Sequence, residues 1–119
     1  MRKPLLTMAL VTAATAVLAS ASLASTPKLT GTVGPGFTIT LAQGGKKVTK
    51  LKAGKYTLVV NDKSSAHSYG LDGPNGFAKD FTSVSYKGSK TFTLKLKPGT
   101  YKFYCSPHES SMFGNFKVS

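Results

Sequence analysis

Tyr101–Val118 reads Y-K-F-Y-C-S-P-H-E-S-S-M-F-G-N-F-K-V, and it decides how the rest of the chain is read. A strand-like run, Tyr101-Lys102-Phe103-Tyr104, enters it, and Asn115-Phe116-Lys117-Val118 leaves it. Between them Cys105, His108 and Met112 present a thiol, an imidazole and a thioether in one tight loop. Cys105 is the only cysteine, and His67 is the only other histidine. A thiolate, two imidazoles and a distant thioether suit an ion that alternates between Cu(I) and Cu(II). The soft sulfurs favour the reduced ion and the imidazoles accept the oxidised one. The expected ligand set is therefore His67, Cys105, His108 and Met112, around one copper ion.

The rest of the sequence reads as all-β. Short apolar runs alternate with period two and are separated by glycine and proline turns, and no helical pattern of useful length follows the N-terminus. Strands are expected at Phe37–Leu41, Val48–Leu51, Tyr56–Val60, Ser68–Leu71, Phe81–Val84, Thr91–Leu96 and Tyr101–Cys105. Two corners echo each other: Leu51-Lys52-Ala53-Gly54-Lys55-Tyr56 and Leu96-Lys97-Pro98-Gly99-Thr100-Tyr101. If both turn at one end of a sandwich, the two strands they start reach the opposite end after similar distances, at ~3.3 Å per residue. That brings His67, which follows one strand, to Cys105, which ends the other.

The N-terminus has the marks of a secretory signal. Arg2 and Lys3 precede an uncharged apolar run, Leu5–Leu18, and Ala19-Ser20-Ala21 fits a cleavage site, with Ser22-Leu23-Ala24 as a competitor. The run is shorter than the ~20 residues of a membrane span, so a retained anchor is the lesser reading. The expected organisation is a signal peptide at 1–21, a flexible leader at 22–34 and one copper-binding domain at 35–119. One cysteine forms no internal bridge, so the domain must close a core without disulfides.

The 119 residues carry a formal charge of +12, with acids only at Asp62, Asp72, Asp80 and Glu109. The lysines are scattered along the sequence, which fits a solvated surface, steering toward an acidic redox partner, or association with an anionic envelope polymer. Nothing matches a nucleic-acid motif. An enzyme is not expected, because the metal site uses both histidines and the four acids do not pair in sequence. A structural zinc site would give Met112 no purpose.

The run Y-C-S-P-H-E-S-S-M-F-G-N-F-K-V resembles the C-terminal signature of the cupredoxins, especially plastocyanin and pseudoazurin. The stretch N-D-K-S-S-A-H-S-Y-G-L-D-G-P, Asn61–Pro74, is similar to the segment that carries the family's first histidine. The resemblance spans roughly Gly36 to Val118. It implies a Greek-key β-sandwich, with His67, Cys105 and His108 as strong copper ligands and Met112 as the weak axial one. With the secretory signal, the expected protein is an exported blue copper protein that transfers single electrons, a monomer that is periplasmic, envelope-bound or extracellular; a copper carrier or buffer outside the cytoplasm is the alternative. Two positions depart from the pattern: the methionine follows its histidine one residue sooner than in plastocyanin-like loops, and Ser68 stands where many relatives have asparagine. Phe113, Pro74, Leu71 and Pro107 are the residues expected to form an apolar collar around His108.

Overall fold

The computed structural model describes residues 26–119; the expected signal peptide and cleavage sites lie outside them. Ten strands build two five-stranded sheets. They are β1 (Lys28–Val33), β2 (Ile39–Gln43), β3 (Lys46–Lys47), β4 (Lys50–Leu51), β5 (Gly54–Asp62), β6 (Tyr69–Asp72), β7 (Ala78–Thr82), β8 (Gly88–Leu96), β9 (Gly99–Tyr104) and β10 (Phe113–Val118). One sheet runs β3-β2-β1-β5-β8 and the other β4-β10-β9-β6-β7. The pairs β1·β5 and β4·β10 are parallel and the others antiparallel. The chain changes sheets between β3 and β4, β4 and β5, β5 and β6, β7 and β8, and β8 and β9, which gives the expected Greek-key sandwich.

Alternation sets the faces. In β5 the inward side chains are Tyr56, Leu58, Val60 and Asp62, and in β8 they end with Leu94 and Leu96. The facing sheet supplies aromatics. Tyr69 stacks on Phe103 with ring centres 6.1 Å apart, and Tyr101 on Phe116 at 5.2 Å. Each fully buried side chain of this kind adds roughly 1.5–3 kcal/mol, which lets a small domain close without a disulfide. Among the described residues every strand, and with them the core, lies within residues 28–118.

The two echoed corners are structurally equivalent. Tyr56 donates its hydroxyl to the Lys52 carbonyl at 2.6 Å, and the Lys97 amide donates to the Tyr101 hydroxyl at 3.0 Å. Each tyrosine is thus tied to the turn four residues before it. Both turns lie at one end, and β5 and β9 run from there to the other.

Four local expectations need correction. Residues 28–33 are not a flexible leader: β1 sits between β2 and β5, with Leu29 and Val33 fully buried. The strand expected from Phe37 begins at Ile39, because the Gly34 amide bonds the Thr38 carbonyl at 2.9 Å and the resulting turn holds Phe37 out of the sheet. Val48–Leu51 is not one strand. Lys46–Lys47 pairs with β2, Lys50–Leu51 with β10, and buried Val48 lies at the crossing between sheets. Phe81–Val84 shifts to Ala78–Thr82, leaving Val84 exposed.

Candidate metal centre

The end opposite the corners gathers four loops: Gly34–Thr38, Lys63–Ser68, Ser83–Lys87 and Cys105–Met112. The second is built by short polar side chains folding back on the backbone. Asp62 Oδ1 accepts the Ser64 amide at 3.1 Å, Ser64 Oγ accepts the Ala66 amide at 3.1 Å, and the His67 amide donates to the Ser64 carbonyl. Asp62 is buried, and its other oxygen has no protein partner among the described residues. The fourth loop is a 3-10 turn at Ser106–His108. The amides of His108 and Met112 bond the carbonyls of Cys105 and His108, and the Cys105 amide bonds the Met112 carbonyl at 3.0 Å.

These loops bring together the three strong donors expected from sequence. The Cys105 Sγ atom lies 3.7 Å from His67 Nδ1 and 3.6 Å from His108 Nδ1, and the two nitrogens are 3.2 Å apart. With metal–nitrogen bonds of ~2.0 Å and metal–sulfur bonds of ~2.3 Å, a trigonal plane has N···N edges of about 3.5 Å and N···S edges of about 3.7 Å. The observed triangle matches that size. Two imidazole nitrogens and a sulfur aimed at one point, with no carboxylate among them, fit a copper ion. Cys105 and His67 are buried and His108 is half-buried. Met112 is also buried, and its backbone closes the same loop onto Cys105.

Ser68, at the position where many relatives have the longer asparagine, joins the two ligand loops. Its Oγ accepts the Ser106 amide at 3.0 Å, and its own amide points at Cys105 Sγ at 3.5 Å. Substitution Ser68→Ala removes the link and leaves the Ser106 amide without a protein acceptor. The metal-free protein should lose about 1 kcal/mol, read as a lower thermal midpoint. Ser68→Thr should retain most of it, and an unchanged midpoint in Ser68→Ala would show that the link carries no stability.

As the first residue of the expected strand Phe37–Leu41, Phe37 alternates with Ile39 and Leu41 and would share their inward face. It is instead 70% exposed, and its ring meets both histidines edge-on, with centroids 5.4 Å from His67 and 5.0 Å from His108. The proximity of Gly34-Pro35-Gly36 to the His67 loop was the missing signal. An added Cβ on Gly34, whose φ is +73°, would stand 2.9 Å from Ser64 Cβ and 3.4 Å from His67 Cδ2, so glycine is required where the turn rests on that loop. The collar around His108 is accordingly revised. Phe113 and Pro107 are exposed at this end, but Leu71 is buried and Pro74 packs against Gly99 near the corners.

Tyr104, immediately before Cys105, lies across Gly70 and donates its hydroxyl to Asp72 at 3.0 Å. Partial desolvation, then the hydrogen bond and charge of Asp72, with Asp80 and Glu109 nearby, push its pKa up to about 12.

A model of the copper binding proteins of the plastocyanin/azurin family matches residues 36–119. Among solved structures, the copper protein rusticyanin is 19% identical with a TM-score of 0.56, over 81% of this chain and 79% of that one. Reduced rusticyanin is 21% identical with a TM-score of 0.56, over 81% of each chain. An oxidised variant of amicyanin is 14% identical with a TM-score of 0.51, over 82% of this chain and 95% of that one. At such identities the likeness is one of fold. A search of curated protein sequences finds no match. The family match covers most of the chain and includes all four expected ligand positions, and the chain belongs to the cupredoxins, the plastocyanin/azurin family of copper-binding proteins.

Proposed function

We propose that this protein is an exported one-electron carrier whose single copper ion is held by His67, Cys105 and His108, with Met112 as a weak axial ligand. The observation that carries the reading is the triangle of His67 Nδ1, Cys105 Sγ and His108 Nδ1, all within 4.8 Å of one another at one end of the sandwich. Copper held by such donors exchanges one electron between Cu(I) and Cu(II).

The chain's own groups supply the conditions. Backbone bonds within each ligand loop, and the Ser68 link between them, hold the donors in place, so little has to reorganise when copper changes oxidation state. Burial of Cys105, His67 and Met112 keeps water from the sulfur side. His108 is the partly exposed ligand, and Phe37, Pro107 and Phe113 surround its approach with apolar surface. A redox partner is read as docking there transiently, through apolar contact. No further histidine remains for a second catalytic metal, which supports a carrier rather than an enzyme.

The test is to add Cu(II) to purified protein and record visible and EPR spectra and a voltammogram. An intense thiolate-to-copper band, narrow copper hyperfine splitting and a fast reversible couple are expected. Absence of the band would overturn the copper assignment. A band accompanied by ready surrender of Cu(I) to a competing apo-protein would favour the carrier or buffer.

A further inference from the structure

Six lysines that look scattered along the sequence are gathered by the fold at the end away from the metal. Lys55 and Lys95 are cross-strand partners on the outer face of one sheet. Lys50 and Lys117 are partners on the outer face of the other. Lys52 and Lys97 occupy the two corner turns between them. All six are exposed, and no acidic side chain stands among them. The acids lie toward the metal end or midway. Asp62 closes β5, Glu109 is in the ligand loop and bonds Lys102, Asp80 reaches Ser106, and Asp72 bonds Tyr104. Among the described residues the one ion pair, Lys102–Glu109, involves none of the six. The corner end is therefore a ring of cations without acids, whereas toward the metal end Lys63, Lys87, Lys90 and Lys102 are interspersed with Asp62, Asp80 and Glu109.

From this we infer that the corner end docks on the anionic headgroups of a phospholipid bilayer and turns the metal end away from it. The charges ring a blunt end on both sheets, so an end-on approach to a plane brings all six within one Debye length, ~10 Å at 0.1 M salt. Among the described residues the large exposed hydrophobics Phe37, Val84 and Phe113 belong to the other end, so the corner end offers none of the apolar anchors that protein interfaces concentrate. Lysine acts as a flexible point charge, suited to headgroup phosphates at no fixed geometry. The chain also enters the fold on this side: Pro27, just before β1, accepts the Thr57 amide through its carbonyl. The docking does not depend on the copper reading; only its use, presenting His108 outward, rests on that reading.

The test uses residues 26–119, which contain both sheets and the core, with vesicles of phosphatidylcholine containing 30% phosphatidylglycerol. Binding is expected at low salt, lost in 0.5 M salt and absent on pure phosphatidylcholine. Each lysine near such a surface is worth roughly fivefold in partition, so Lys52→Gln with Lys97→Gln should weaken binding roughly 30-fold. Lys63→Gln with Lys87→Gln, at the metal end, should change it less than threefold. Hydrogen exchange should slow at 52–55 and 97–99 on the vesicle and stay unchanged at 34–37 and 105–112. No binding at low salt, equal losses from both pairs, or protection at the metal end would overturn the inference. So would a soluble polyphosphate that binds more tightly than the vesicles and displaces them, since it would assign the lysines to a polymer.

Discussion

Substitution Cys105→Ser should abolish the intense visible band of the copper-loaded protein, not merely shift it. The band requires a sulfur-to-copper charge transfer, and this chain has no second thiol to substitute. Serine places a harder, protonated oxygen in the triangle and leaves two imidazoles as the strong donors. Metal affinity should fall by more than the ~10–100-fold typical of disturbing an outer partner of a ligand. The fold should survive. Cys105 is fully buried, but serine is slightly smaller, and the Ser68 amide that faces the sulfur keeps an acceptor. Far-ultraviolet circular dichroism of the variant should therefore match wild type while the visible spectrum is blank. A variant that keeps the band would remove Cys105 from the site and the proposed function with it.

That experiment tests the part of the molecule most legible in the sequence. Cys105, His108 and Met112 lie in one loop, and local spacing was enough to group them. His67 was harder, being far away in sequence, but the two equivalent corners at Lys52–Tyr56 and Lys97–Tyr101 gave a geometric reason for it to arrive at Cys105. What was not legible depends on non-local partners. K-L-T-G-T-V is a poor strand by itself, with a central glycine and threonines on one face. It becomes β1 because β2 and β5 both pair with it and Tyr69 needs the space at Gly31. Phe37 continues the alternation of Ile39 and Leu41, so pattern alone put it on the core face. The hydrogen bond from Gly34 to Thr38 ends the strand before it and sends the ring over the histidines. The charge separation was invisible for a similar reason: Lys50 and Lys117, or Lys55 and Lys95, become neighbours only through strand register.

Gly31 leads to the second large effect, in which Gly31→Val should destabilise the metal-free protein by about 3 kcal/mol and lower its thermal midpoint on the order of 15 °C. Even a single added Cβ would stand 2.5 Å from Tyr69 Cζ and 2.8 Å from its hydroxyl oxygen. The ring has nowhere to retreat. It is fully buried, stacked on Phe103, and its hydroxyl donates to the Thr40 carbonyl at 2.9 Å. Burial raises its pKa far above the usual phenol value, so ionisation offers no escape. If the clash is the cause, shrinking its partner must relieve it. Gly31→Val combined with Tyr69→Leu should then be at least 1 kcal/mol more stable than the sum of the single changes predicts. The strain should also reach the metal end, because Tyr69 follows Ser68, whose hydroxyl and amide hold the Cys105 loop. The single variant should accordingly bind copper more weakly than wild type although no ligand has changed, and the double variant should recover part of the difference. Equal midpoints for Gly31→Val and wild type would mean that the sheets separate freely at this point, and that the spacing between them does not hold His67 against the sulfur.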